Sequence, residues 1–376
     1  MLDRPYYLQK ISKSFEMTPA CAILGPRQCG KTTLAKKYIE TLQTKAYFFD
    51  LENPLDLLKL ENPKTMFDEL DGLIVIDEIQ LRPDLFPVLR VLIDNSNKQF
   101  LILGSASQDL IRQSSETLAG RINYIEMTPF SLLETSDFRT FWNRGGFPRS
   151  FLATNDENSF EWRKSYIRTF LERDIRSFGF DIPPQTIRRF WLMLAHYHGQ
   201  IFNASEIGRS INVTNKTADR YLDILTGCFM IRRLSPWFEN ISKRQVKSPK
   251  IYFRDSGLFH TILGIETRDQ LMMHPKLGAS WEGMALEEII KILKADIDDC
   301  YFWSTISGAE LDLLIVANGK KLGFEFKYSD SFKVTKSMRF AIQDLKLDKL
   351  TVIIPGNEKF NIENNIEVCG LESFTM

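Results

Sequence analysis

The chain has 376 residues, with 48 basic and 48 acidic side chains, so its formal net charge at neutral pH is zero and the total points to no partner. The length admits two or three domains, and the apolar runs are too short to span a bilayer. Residues 1–15 lack an apolar signal region; the cysteines Cys21, Cys29, Cys228, Cys300 and Cys369 show no Cys-x-x-Cys spacing and read as reduced thiols of a cytoplasmic protein.

The first expected elements are an apolar strand at Ala20 to Leu24 and a helix from Thr32 to Leu42. Between them stands Gly25-Pro-Arg-Gln-Cys-Gly-Lys-Thr32, the Gly-x-x-x-x-Gly-Lys-Thr spacing of a phosphate-binding loop. Glycines let backbone N–H groups close around phosphates, and the helix start adds a favourable dipole. Gly25, Pro26, Arg27, Gln28, Cys29, Gly30, Lys31, Thr32 and Thr33 are therefore the candidate nucleotide-binding residues. Lys31 would reach the β- and γ-phosphates and Thr32 would hold Mg²⁺. Arg27 would pack outward.

Strands follow at Ala46 to Asp50, at Gly72 to Glu78 and at Phe100 to Leu103, separated by helical patterns at Pro54 to Leu60, Pro63 to Leu70 and Pro83 to Asn95. This alternation predicts a parallel sheet with helices on both faces. Asp77 and Glu78 end a strand, where open α/β sheets place ligands. Asp77 would contact Mg²⁺ and Glu78 would polarise the attacking water. Ser105 and Ser107 would orient water or sense the γ-phosphate, though serines after a strand also form turns. Arg121, in Leu118-Ala-Gly-Arg121, would be an arginine finger acting in cis or from a neighbour in a homo-oligomer, or a plain surface arginine. Gly145-Gly-Phe-Pro148 ends the first domain, expected over 1–150.

Residues 161–255 hold 17 Lys/Arg against 9 Asp/Glu, a basic middle that hints at nucleic acid. Helical patterns run from Ser159 to Arg176 and from Ile187 to His198; His196 and His198 do not share a helical face and read as ordinary partly buried histidines. Asn203 caps a short helix, Thr214 to Thr226 makes a second, and Ile231 to Leu234 and Ile251 to Phe253 form a ribbon. That order predicts a winged helix-turn-helix, used for DNA or for packing, within a helical and winged-helix domain over 151–255. The candidate DNA contacts are Lys216 and Arg220 on the second helix and Lys243, Arg244 and Lys247 in the ribbon loop.

Asp255 to Lys276 reads as a linker within a last α/β part over 256–376. A helix starts at Trp281, with Glu282 in line with its apolar stripe. Strands at Cys300 to Trp303, Glu310 to Val316 and Lys321 to Lys327 place Asp312 mid-sheet and Glu325 and Lys327 on one face. Glu282, Asp312, Glu325 and Lys327 match the metal-binding pattern of restriction-endonuclease-like folds, in which the carboxylates would hold Mg²⁺.

GPRQCGKTT (25–33), LIVIDEIQ (73–80), LILGSAS (101–107), LAGR (118–121), GGFP (145–148), SPKIYFRDSGL (248–258), WEGMALEEI (281–289) and GAELDLLI with FEFKYS together carry a resemblance covering nearly the whole chain. It resembles the prokaryotic AAA-type P-loop ATPases with a winged helix and a C-terminal restriction-endonuclease-like domain of unknown function. The resemblance implies ATP binding with slow hydrolysis. Leu311 stands where that pattern often has a proline before the first nuclease carboxylate. Three readings follow: an ATPase acting on DNA or protein, an ATP-gated Mg²⁺-dependent nuclease, and a regulatory protein using ATP as a switch.

Overall fold

The five apolar runs of the first 126 residues become short parallel strands, because each can be buried on both faces. In the computed structural model, which describes residues 2–105, 116–239, 244–329 and 333–374, they are β1 (Ala20–Gly25), β2 (Ala46–Asp50), β3 (Leu73–Asp77), β4 (Gln99–Ser105) and β5 (Ile122–Glu126). Their order in the sheet is β2-β3-β4-β1-β5. Alternate residues pack on opposite faces. Ala22, Leu24, Ile74, Ile76, Phe100 and Ile102 meet Phe67 and Leu89 on one side, while Cys21, Ile23, Val75, Leu101 and Leu103 meet Ile11, Leu34 and Tyr38 on the other. These residues lie in the first of two compact units, Met1–Phe130 with Gly227–Phe229.

The second unit, Ser131–Thr226 with Met230–Met376, starts with short helices and a longer one at Asp156–Thr169. Helix Ala204–Ile211 is capped by Asn203, whose side-chain oxygen accepts the Glu206 N–H at 3.2 Å. Helix Asn215–Gly227 is started by Thr214, whose hydroxyl accepts the Thr217 N–H at 3.1 Å. The strands are β6 (Gln200–Ile201), β7 (Ile231–Pro236), β8 (Lys250–Phe253), β9 (Cys300–Ser304), β10 (Glu310–Ala317), β11 (Lys320–Phe326), β12 (Lys349–Ile354), β13 (Lys359–Glu363) and β14 (Ile366–Gly370). They form one sheet in the order β13-β14-β12-β11-β10-β9-β7-β8-β6. The β7–β8 ribbon is thus joined edge-on to the C-terminal strands, through β7 running parallel to β9. Helix Leu277–Ile292 packs Trp281, Leu286 and Ile289 on Phe302, Leu313 and Phe324, and Met338 and Leu345 of helix Lys336–Leu345 pack with Leu311 and Val352.

The stretch expected to be a linker is largely helical. Asp255 caps Ser256–Ile262 by accepting the Leu258 N–H at 2.9 Å, and a Thr267/Gln270 capping box starts Arg268–Met272. The expected boundary at 255 falls inside the second unit, because β8 on one side of it and β9 on the other belong to the same sheet. No described helix is long and apolar enough to cross a membrane, and all five cysteines are buried and free.

Candidate functional site

In the first sheet β4 lies between β1 and β3, so the strand ends at Gly25, Asp77 and Ser105 come side by side. The loop after β1 turns into helix Lys31–Glu40 at Gly30, whose φ of 103° suits glycine. Lys31 is buried, and its ammonium donates to the carbonyl oxygens of Gly25 and Pro26, both at 2.9 Å. The Thr32 hydroxyl donates to Asp77 Oδ2 at 2.6 Å. Burial pushes the Asp77 carboxyl up to about 6, against the pull of that hydrogen bond. A backbone loop, a lysine and two hard oxygen donors at a helix start fit a magnesium nucleotide.

Glu78 follows in a left-handed conformation, φ 56°, uncommon for a non-glycine residue and a mark of functional sites. Its Oε2 accepts from Gln80 and, at 3.4 Å, from the Ser105 hydroxyl. Arg27 reaches Glu52 at 2.7 Å and stands 4.0 Å from Glu78. Cys29 is buried, its thiol 3.7 Å from the Met127 carbonyl oxygen, and Thr33 is exposed. Gln28 has φ 61°. Arg121 pairs with Asp94, at 2.6 Å, at the end of helix Leu85–Asn95. Ser107 lies outside the described residues.

In the second unit Glu282 and Asp312 converge on Lys250, which the sequence reading puts among the basic residues of the ribbon loop and the structure puts, buried, at the start of β8. The ammonium of Lys250, on β8, stands 3.5 Å from Asp312 Oδ1 and 3.8 Å from Glu282 Oε1, and it pairs with Glu310. The Tyr252 hydroxyl donates to Glu282 Oε1 at 2.7 Å, and the Phe326 N–H donates to Asp312 Oδ2 at 3.2 Å. Glu325 pairs with Lys327 at 2.9 Å. Burial works against the charge on Lys250, but the acidic groups around it hold its pKa well above the usual value. Burial and the Asp312 charge push both Glu282 and Glu325 up. Lys250 is two residues from Tyr252 on β8 as Glu310 is from Asp312 on β10, so strand alternation puts each pair on one face. The run of bases before Ile251 reads as a loop that takes in Lys250, whereas β8 begins at Lys250 itself. The pocket does not fit a divalent metal: its carboxylates are engaged by Lys250, Lys327, Tyr252 and a backbone N–H, and no group of three or more His, Cys, Asp or Glu gathers for an ion among the described residues.

A second buried cluster was passed over. Glu287 takes Arg232 through both carboxylate oxygens, with Nη2 at 2.9 Å from Oε2, and Arg254 at 3.6 Å. Lys216, Arg220, Arg244 and Lys247 are exposed, whereas Lys243 lies outside the described residues.

The first fold and its site define a P-loop ATPase domain of the AAA type. Residues 17–136 match the family model described as AAA domain, residues 135–269 a domain of unknown function (DUF8612), and residues 277–374 a domain of unknown function (DUF4143). Uncharacterized proteins of Mycobacterium tuberculosis (strain ATCC 25618 / H37Rv) and Mycobacterium bovis (strain ATCC BAA-935 / AF2122/97) are each 45% identical over 370 residues, 97% of this chain and 83% of theirs. The chain belongs to the family of these mycobacterial proteins. Among solved structures it is similar to the Walker-type ATPase of Pyrococcus abyssi, with TM-score 0.51 and 15% identity over 70% of this chain and 96% of that one, a likeness of fold alone. The AAA family implies nucleotide binding, typically with Mg²⁺.

Proposed function

We propose that the protein binds and hydrolyses ATP and acts on DNA through a winged helix. The observation that carries the ATPase half is the Thr32 hydroxyl on Asp77 at 2.6 Å, beside a lysine folded into its own loop. In this reading Lys31 contacts the β- and γ-phosphates, and Thr32 and Asp77 hold Mg²⁺, which when bound neutralises phosphate charge. Glu78, kept in place by Ser105 and Gln80, orients the attacking water. Arg121 serves as a finger after leaving Asp94, toward its own site or a neighbour's in a homo-oligomer. The DNA half is supported by helices Ala204–Ile211 and Asn215–Gly227 followed by the β7–β8 ribbon, with Lys216 and Arg220 exposed one turn apart. The C-terminal part reads as restriction-endonuclease-like from its order: a helix, antiparallel β9 to β11, a helix, and β12 parallel to β11.

The test is phosphate release with and without duplex DNA. Lys31→Ala should lose ATP binding and turnover. Glu78→Gln should keep binding and lose about 10²–10⁴-fold in turnover, as expected for removing a general base. Wild-type turnover in Glu78→Gln would remove Glu78 from the water-orienting role.

A further inference from the structure

We propose that Lys250 is the resident cation of the C-terminal acidic pocket and that the pocket therefore takes no divalent metal. An ammonium has three donors and no acceptor. Lys250 has three carboxylates within 4.0 Å of its Nζ, those of Glu282, Glu310 and Asp312. A magnesium ion needs about six oxygens at about 2.0–2.1 Å, and here the donors are spent elsewhere. Asp312 gives one oxygen to Lys250 and the other to the Phe326 N–H. Glu282 Oε1 also receives the Tyr252 hydroxyl, and Glu325 is held by Lys327.

The lysine cannot simply swing aside. Its side chain is only 3% exposed, and its backbone is held between β7 and β6, opposite Leu234 and Ile201. A metal entering the pocket would meet an ammonium less than 4 Å from the shared carboxylates, a like charge that opposes its binding. The ion cluster instead ties β8 to β10 and to helix Leu277–Ile292, three elements from distant parts of the chain.

The experiment is Mn²⁺ binding followed by electron paramagnetic resonance, on the full chain without nucleotide. Wild type and Asp312→Asn should bind Mn²⁺ equally weakly. Lys250→Met, which keeps the apolar stem and removes the charge, should bind Mn²⁺ roughly tenfold or more tightly than wild type, about 1.4 kcal/mol, and Asp312→Asn in that background should abolish the gain. Mn²⁺ binding by wild type that disappears in Asp312→Asn overturns the proposal. So does a folded Lys250→Met that gains nothing. Should Lys250→Met fail to fold, the comparison of wild type with Asp312→Asn decides alone.

Discussion

Gly25 has no room for a side chain: a Cβ there would stand 2.1 Å from the Met127 carbonyl oxygen. Backbone on backbone cannot be relieved by a rotamer change, so Gly25→Ala must push the phosphate loop away from the residues after β5. We expect a loss of roughly 1–3 kcal/mol in stability, typical of overpacking, and a marked fall in ATP affinity in a fluorescent-nucleotide titration. Unchanged affinity would mean that the cradle tolerates the shift. His198 and His260 act at the same scale through pH. Burial pushes both imidazoles down to about 3, so the folded chain keeps them neutral. Unfolded histidine takes a proton below about 6.5. Between these values the unfolded state binds more protons, and stability falls as pH falls, by up to about 1.4 kcal/mol per pH unit for each histidine. The raised carboxyls of Asp77, Glu282 and Glu325 work the other way, so the histidine part is read as a difference: from pH 7 to pH 5.5 the urea midpoint of wild type should fall more, or rise less, than that of His198→Gln with His260→Gln. Equal changes in wild type and variant would show that the rings are protonated in the fold or reached by water.

Asp255 shows how one side chain makes an element. Its carboxylate accepts the Leu258 N–H at 2.9 Å and the Gly146 N–H at 2.8 Å, both buried. Arg163, from helix Asp156–Thr169, reaches the Gly257 and Asn143 carbonyl oxygens beside it. Asp255→Ala removes a helix cap and leaves a second donor unsatisfied, so it should cost about 2–4 kcal/mol, read as a lower urea midpoint at constant slope. A cost under about 0.5 kcal/mol would mean that water replaces the carboxylate. The cap was written in the chain as Asp255-Ser-Gly-Leu258, yet the helix is short and weakly periodic, and the stretch read as a linker. The first sheet was legible because its strands are apolar runs punctuated by a glycine loop. Helix Leu277–Ile292 was legible as a helix but not in its burial. Its stripe pointed to Glu282, while Glu287 and Glu288 are the more deeply buried acids. They are tolerated because Arg232 and Lys291 pair with them, and a partner 55 residues away leaves no local trace. Lys250 reads as a loop base for the same reason: its partners come from β10 and from helix Leu277–Ile292.

For the whole molecule, a net charge of zero makes any DNA affinity a matter of where charge is exposed. The stretch 161–255 has an excess of eight bases by count, but the fold spends several of them internally. Arg163 is buried on carbonyl oxygens, Arg232 and Arg254 serve Glu287, and Lys250 sits in the acidic pocket. Glu287 and the pocket acids lie outside the stretch, so the surface excess is smaller than the count suggests. What remains accessible includes Lys216 and Arg220 on the second helix and Arg244 and Lys247 near the ribbon. If these four touch phosphates, the logarithm of affinity should fall linearly with the logarithm of salt, with a slope of about 0.9 per contact. Arg244→Ala with Lys247→Ala should then reduce that slope by about 1.8, and the same pair of changes at Lys216 and Arg220 by a similar amount. Replacing Arg233 is the contrasting control, because it already pairs with Asp223 at 2.8 Å. A fluorescence-anisotropy titration of duplex DNA at several salt concentrations measures all of these slopes. Binding that ignores salt, or slopes unmoved by the four replacements, would assign the two helices and the ribbon to packing rather than to DNA.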